Sequence, residues 1–168
     1  MKKRVNKSAQ QTMGLPFSLI FAIFLIIIFI ALAFIAVKYF LDIGKCAGVG
    51  QFYEELQKEV DESWVSQSSD NSNNIFKINL PYKIKRICFW NLSSAVTNKE
   101  DYDLISQYEV YDANLFLIPP ENACNMPYKL INHLDIGKIT QVKNPYCVDV
   151  LKGLIIKKGF YDKNVFIQ

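Results

Sequence analysis

Hydrophobic residues are concentrated in one uninterrupted run near the start of the chain. Residues 15–37 contain no charged side chain and a single hydroxyl group, that of Ser18. As an α-helix at 1.5 Å per residue, this run would extend about 34 Å, which is enough to cross the hydrocarbon core of a bilayer. The pattern therefore predicts a transmembrane helix over residues 15–40.

A four-residue periodicity follows the apolar run. Its apolar stripe is formed by Phe52, Leu56, Val60 and Trp64. Acidic residues fill the positions between them, which is typical of an amphipathic helix. We therefore predict a stalk helix over residues 41–65. Three glycines between residues 44 and 50 each disfavour a helix interior by about 1 kcal/mol, so a kink there and one continuous helix are both compatible with the sequence.

The rest of the chain has the pattern of a small β-rich domain. Residues 66–74 contain no apolar side chain and predict a linker. Beyond the linker, short apolar segments predict strands at residues 75–80, 84–90, 115–118, 147–151, 154–157 and 164–167. We expect Lys152-Gly153 to turn the fourth of these strands onto the fifth.

Two short helices are predicted among these strands, at residues 98–108 and 126–133. The expected fold class is therefore α+β. It consists of a transmembrane helix with an amphipathic extension, followed by a small antiparallel-sheet domain over residues 75–168.

The charges predict the orientation of the chain in a membrane. The basic leader, residues 1–14, carries Lys2, Lys3, Arg4 and Lys7, whereas all 16 acidic residues follow residue 41. Because short basic flanks stay in the cytoplasm, we expect a cytoplasmic N-terminus and an extracytoplasmic C-terminal domain in the cell membrane. A net charge of only +3 gives no support for nucleic-acid binding.

The chain contains four cysteines, Cys46, Cys88, Cys124 and Cys147, all on the expected outer side. They form no C-x-x-C motif, and an even number outside the cytoplasm favours two disulfides over reduced thiols. Three pairings are possible. We favour Cys124 with Cys147, because a bridge there would hold the loop between them.

No catalytic, metal or cofactor site is predicted. The one histidine, His133, has Asp135 nearby, but neither a nucleophile motif nor a metal-binding motif accompanies the pair. Asn91-Leu92-Ser93 is a candidate N-glycosylation sequon.

Tyrosine is frequent in the expected outer domain. Six tyrosines could line a binding face, although ordinary sheet packing also accounts for them: Tyr102, Tyr108, Tyr111, Tyr128, Tyr146 and Tyr161.

The first 65 residues resemble type IV pilin-like proteins, including the class III signal-peptide proteins of archaea. The resemblance rests on the basic leader, Gly14, the apolar helix and its amphipathic extension, all within residues 1–65, and on the order in which a small β-rich domain follows them. Cleavage after Gly14 would place Leu19 fifth, where the pilin pattern has Glu, and cleavage before Gln10 would place Gly14 there. We therefore expect an uncleaved signal anchor. Residues 14–21, Cys46 and residues 122–128 are also similar to small single-span archaeal proteins.

The resemblance implies a non-enzymatic surface protein with a structural or assembly role. Its expected partners are the lipid bilayer and either another protein or further copies of the chain, bound through the membrane helix and the stalk. An alternative of a different class is a membrane-tethered receptor or accessory domain, which would bind a polypeptide or a glycan through an aromatic sheet face.

Overall fold

The computed structural model describes residues 14–66, 75–81 and 83–168. The chain divides into two compact units, Met1–Ile43 and Gly44–Gln168, and the first helix, α1 (Gly14–Val65), belongs to both. The predicted leader lies outside the described residues up to position 13. The predicted linker lies outside them from residue 67 to residue 74.

In the first unit, the described part of α1 is apolar and exposed. Every side chain of residues 17–41 is exposed to solvent. By length and composition, α1 is the one helix in the described part of the chain that could cross a membrane. This agrees with the transmembrane helix predicted over residues 15–40.

In the second unit, α1 continues as a helix that packs on the rest of that unit. The helix runs through residues 44–50 without a break, so the continuous alternative is the one observed. Val49, in the middle of the glycine-rich segment, is fully buried. Tertiary packing of this kind outweighs the low helix propensity of the glycines.

The predicted stripe faces the interior of the second unit. Leu56 and Val60 are 0% exposed and Phe52 is 1% exposed. Trp64, in the last turn of α1, differs from them and remains 38% exposed. The amphipathic helix is confirmed, with three of the four stripe residues in the core.

Two antiparallel sheets complete the second unit. The strands are β1 (Ile75–Phe76), β2 (Arg86–Phe89), β3 (Leu115–Ile118), β4 (Tyr128–Lys129), β5 (Tyr146–Asp149), β6 (Leu154–Lys157) and β7 (Phe166–Ile167). One sheet has the order β4-β3-β2-β5 and the other has the order β1-β6-β7. The predicted α+β fold class is confirmed, although most strands are shorter than the apolar segments that predicted them.

Short helices connect the strands. They are α2 (Lys99–Ile105), α3 (Ile136–Ile139) and three 3-10 turns at Ser106–Tyr108, Pro120–Asn122 and Val150–Lys152. The first predicted helix, at residues 98–108, is therefore confirmed as α2 and the 3-10 turn that continues it.

The four-stranded sheet is buried on both faces. Ile87 and Leu117 belong to the core that contains the α1 stripe, whereas Cys88 and Phe116 belong to a second core that contains Ile105 of α2. Successive residues of a strand point to opposite faces. A sheet covered on both sides therefore needs apolar residues at every position, which is why β3 is a continuous apolar run.

The predicted helix at residues 126–133 is wrong. This segment contains β4, and beyond it the Asn114 side chain accepts a hydrogen bond from Ile131 N and donates one to Ile131 O, both at 2.8 Å. The amide side chain therefore holds the backbone in an extended path. The helix begins later, at α3, where the Asp135 carboxylate accepts a hydrogen bond from Lys138 N and supplies the N-cap.

The predicted turn of one strand onto the next at Lys152-Gly153 is also wrong. β5 and β6 lie in different sheets, and the chain passes between them through the 3-10 turn and Gly153. Gly153 has a φ of +72°, and a Cβ atom there would clash with Ile75 Cγ2. The glycine allows the chain to cross close to β1 rather than to fold back.

All four cysteines form disulfides, but the favoured pairing of Cys124 with Cys147 is wrong. Cys88 pairs with Cys147, and Cys46 pairs with Cys124. Cys88 and Cys147 are direct partners in the β2–β5 register, with Cα atoms 4.0 Å apart. Because the pairing follows this register, proximity in the sequence did not indicate it. On the loop-entropy model, each bridge stabilises the fold by roughly 4 kcal/mol.

Replacing Leu56 with alanine should lower the free energy of unfolding of the second unit by about 2–5 kcal/mol, because it opens a cavity between α1 and the sheet. Urea denaturation of the full-length chain in detergent, followed by near-UV circular dichroism, measures the change. Glu55→Ala, at an exposed position of the same helix, is the control and should change stability by less than about 0.5 kcal/mol. Equal effects of the two variants would contradict the packing of the stripe.

Candidate functional site

A groove lies between α1 and the segment that leads into β4. Its volume is about 770 Å³, within the range of ligand pockets. We call it the tyrosine groove and define it by six of its lining residues, which are Tyr53, Glu54, Gln57, Asp61, Met126 and Tyr128. The α1 wall also contains Lys58 and Glu62 and is net negative, whereas the other wall combines Met126 and Tyr128 with the polar residues Asn125 and Lys129.

The wall that leads into β4 is held to α1 by two links. The Cys46–Cys124 disulfide joins it covalently to the helix, and the Tyr53 hydroxyl donates a hydrogen bond of 2.8 Å to Met126 O. Burial raises the pKa of Tyr53, so its hydroxyl stays protonated and remains a donor. The groove is thus preformed within the second unit.

Two further tyrosine rings pack around Tyr128, which lines the groove. Tyr128 stacks on Tyr111 with ring centroids 4.4 Å apart, and Tyr108 lies 5.5 Å from Tyr128. The 3-10 turn after α2 brings Tyr108 to this position. Partial desolvation, together with the neighbouring Tyr111, raises the pKa of Tyr128, and Tyr111 itself is exposed.

The six tyrosines singled out from the sequence therefore have three different surroundings. Tyr102, Tyr108 and Tyr128 pack on the core under α2, which partly agrees with the packing alternative. Tyr146 packs on the other core, and Tyr111 and Tyr161 are exposed.

His133 contacts α1 rather than the nearby aspartate that the sequence suggested. Its Nδ1 lies 2.9 Å from Asp61 Oδ1, and its ring stacks on Trp64 with centroids 3.9 Å apart. Asp135 instead caps α3. In the described residues, the only side-chain hydrogen bond of His133 is the one to Asp61. The contacts of His133 with Asp61 and Trp64 therefore hold the end of α1 against the rest of the unit.

The end of α1 has two further ties to the same unit. Trp64 Nε1 donates a hydrogen bond of 3.2 Å to Lys163 O, and Lys158 Nζ donates to the backbone oxygens of Trp64 and Ser66. A lysine at this position satisfies carbonyls that have no partner within the helix. The exposed position of Trp64 in the stripe is therefore explained by its role at the end of the helix.

The loop between β6 and β7 presents two aromatic rings to solvent. We call residues 157–163 the aromatic loop. Phe160 is 69% exposed and Tyr161 is 96% exposed, and their rings form an edge-on pair 5.1 Å apart. Asp162 closes the loop by accepting hydrogen bonds from Gly159 N, at 2.9 Å, and from Lys138 Nζ, at 2.8 Å. These two hydrogen bonds hold the backbone of the loop below its exposed rings.

Among the described residues, one group of three side chains has the composition of a metal site, which is Cys88, Asp101 and Cys147. Both sulfur atoms are used in a disulfide, and Asp101 forms an ion pair with Arg86 and accepts a hydrogen bond from Asn98. These ligands are therefore already engaged, and the group instead joins α2 to the sheet.

Asn91, the candidate glycosylation residue, lies in the turn that follows β2. Its Oδ1 accepts a hydrogen bond of 3.0 Å from Ser93 N, while its backbone N–H donates to the side chain of the buried Asn144. The turn is thus held in place on its inner side. Glycosylation of Asn91 stays a prediction.

No family model, no curated protein and no solved structure matches the chain.

The aromatic loop should lose stability in acid. The hydrogen bond from Lys138, followed by that from Gly159 N, lowers the pKa of Asp162. A carboxyl group with a lowered pKa stabilises the fold above its ordinary pKa, about 4, and this contribution is lost as pH falls through the lowered value. Asp162→Asn should therefore lower the melting temperature at pH 7, and this difference from wild type should shrink as the pH falls towards 2.

Thermal melting of the full-length chain at several pH values measures this difference. Asp112→Asn, at an exposed position before β3, is the matched control and should follow the wild-type curve throughout. A difference between Asp162→Asn and wild type that persists unchanged at pH 2 would contradict the role of the charge.

Proposed function

We propose that this chain is a single-span membrane-anchored surface protein with a structural role, acting as a pilin-like component of a larger assembly. The proposal rests on the difference between the two parts of α1. The side chains of residues 17–41 are apolar with few exceptions and all exposed, whereas three residues of the stripe are buried in a disulfide-bonded unit. An exposed apolar helix of this length is stable in lipid rather than in water.

Two observations support the orientation that we propose. The leader carries four basic residues and no acidic residue, which favours its retention in the cytoplasm. The second unit contains two disulfides, and disulfides persist mainly in oxidising compartments outside the cytoplasm.

The surfaces that remain free decide how such an assembly would form. Phe52, Leu56 and Val60 are already buried in their own unit, so the stripe is not a free surface for a partner. The proposed contacts are therefore those of the exposed apolar part of α1, by side-chain packing within the bilayer, and those of polar and aromatic surfaces on the second unit.

A second candidate function is a membrane-tethered receptor or accessory domain. The tyrosine groove favours it, because Tyr108, Tyr111 and Tyr128 form an aromatic cluster beside a preformed cavity. Tyrosine provides contact area for a polypeptide or a glycan at a low cost in conformational entropy.

Labelling of introduced cysteines tests the orientation, since all four native cysteines are in disulfides. A membrane-impermeant maleimide added to intact cells should label Ser69→Cys, in the proposed external linker. The matched control, Ser8→Cys in the leader, should be labelled only after the cells are lysed. Labelling of Ser8→Cys in intact cells would overturn the proposed orientation.

Cross-linking tests the assembly role. Formaldehyde treatment of intact cells that express the full-length chain should give a ladder of multimers on a denaturing gel, because neighbouring copies would lie within its short reach. A second single-span protein at the same expression level is the control for random encounters. Monomers alone, or adducts with a different protein only, would overturn the assembly role and favour the receptor.

A further inference from the structure

The two unpartnered aromatic surfaces of the second unit have opposite electrostatic character. The aromatic loop contains Lys157, Lys158 and Lys163, and its one acid, Asp162, is paired with Lys138. The residues of α1 that line the tyrosine groove include three acids, Glu54, Asp61 and Glu62, and one lysine, Lys58, while the opposite wall carries Lys129. The α1 wall is therefore net negative. Opposite potentials of this kind steer two surfaces together and fix their register.

We propose that the aromatic loop of one copy docks into the tyrosine groove of a second copy. This inference rests on the proposed assembly role and names the surfaces that would carry it. Phe160 and Tyr161 would enter the groove, and Lys157 and Lys163 would face the acidic wall of α1, while Lys158 stays bound to the end of its own α1. The groove, at about 770 Å³, is of the size that ligand pockets have.

The loop has the properties of a binding anchor. Phe160 and Tyr161 are among the most exposed aromatic side chains in the described residues, yet Asp162 holds the loop through two hydrogen bonds. Exposed aromatic residues on a rigid support lose little conformational entropy on binding, and aromatic side chains are enriched at the centres of interfaces.

The groove has the complementary properties. Tyr128 and Met126 provide an aromatic and apolar wall, and Glu54 lies exposed on the opposite wall. The disulfide between Cys46 and Cys124 keeps the two walls together without a ligand. A preformed receptor surface of this kind would bind without first rearranging.

The proposed contact is heterologous, since loop and groove are different surfaces. Each copy would offer its loop to one neighbour and its groove to another. A repeated heterologous contact produces either a ring or an open filament. The docking thus gives the proposed assembly role a specific mode of growth.

The test uses two populations of the full-length chain, mixed in lipid vesicles. One population carries Tyr161→Cys and the other carries Glu54→Cys, while the native cysteines stay in their disulfides. A short bismaleimide should join one copy of each type. The matched control replaces Tyr161→Cys with Leu151→Cys, whose native side chain is 95% exposed on a different turn, and should give less than a tenth of that yield.

A second arm tests the charges. Adding Lys157→Glu and Lys163→Glu to the Tyr161→Cys population should lower the cross-linking yield at least fivefold, because the loop would then repel the acidic wall. Raising the salt concentration should lower the cross-linking yield of the original Tyr161→Cys population. It should also reduce the difference in yield between that population and the one with the charge changes.

The outcomes separate the docking from the assembly role. A Tyr161→Cys yield no higher than the Leu151→Cys control would overturn the docking, and so would a yield unaffected by the charge changes. If the formaldehyde ladder forms in the same protein, such a result leaves the assembly role standing. Absence of both the ladder and the cross-link would overturn the two together.

Discussion

The burial of one side of α1 is the interaction on which the second unit depends. Phe52, Leu56 and Val60 are in contact with the face of the sheet that carries Ile87 and Leu117. Removing such a stripe from water contributes several kcal/mol, and it also sets which strand residues must be apolar. Three other features depend on the helix being in this position, because each includes residues of α1. They are the Cys46–Cys124 disulfide, the tyrosine groove and the contacts of His133.

Elements with a strong local signal could be predicted from the sequence. The apolar run, the four-residue stripe and the apolar segment of β3 each depend on residues that are neighbours in the chain. Elements that depend on distant partners could not. The segment at 126–133 is extended because the Asn114 side chain bonds Ile131. The Cys88–Cys147 disulfide follows a strand register that brings together residues 59 positions apart.

The candidate site shows the same division. The frequency of tyrosine in the sequence does not indicate that Tyr108 and Tyr111 pack around Tyr128, a residue of the groove. The acid nearest to His133 in the sequence is Asp135, whereas its partner in the structure is Asp61. The sequence does contain one indication that Asp135 has a different role, because aspartate is a typical N-cap and Asp135 directly precedes α3. As an N-cap, Asp135 is not available as the partner of His133. No feature of the neighbouring sequence indicates that the partner is Asp61 instead.

The proposed membrane anchor and the proposed docking surface would support one another energetically. Burying an aromatic side chain contributes about 1.5–3 kcal/mol, whereas bringing two free proteins together costs about 4–15 kcal/mol in lost translational and rotational freedom. Two rings, Phe160 and Tyr161, would therefore hold free copies only weakly. Anchoring in a bilayer raises the effective concentration of neighbouring copies and removes much of that cost beforehand. A contact as small as a single loop is thus sufficient only in a chain that a helix already confines to a surface.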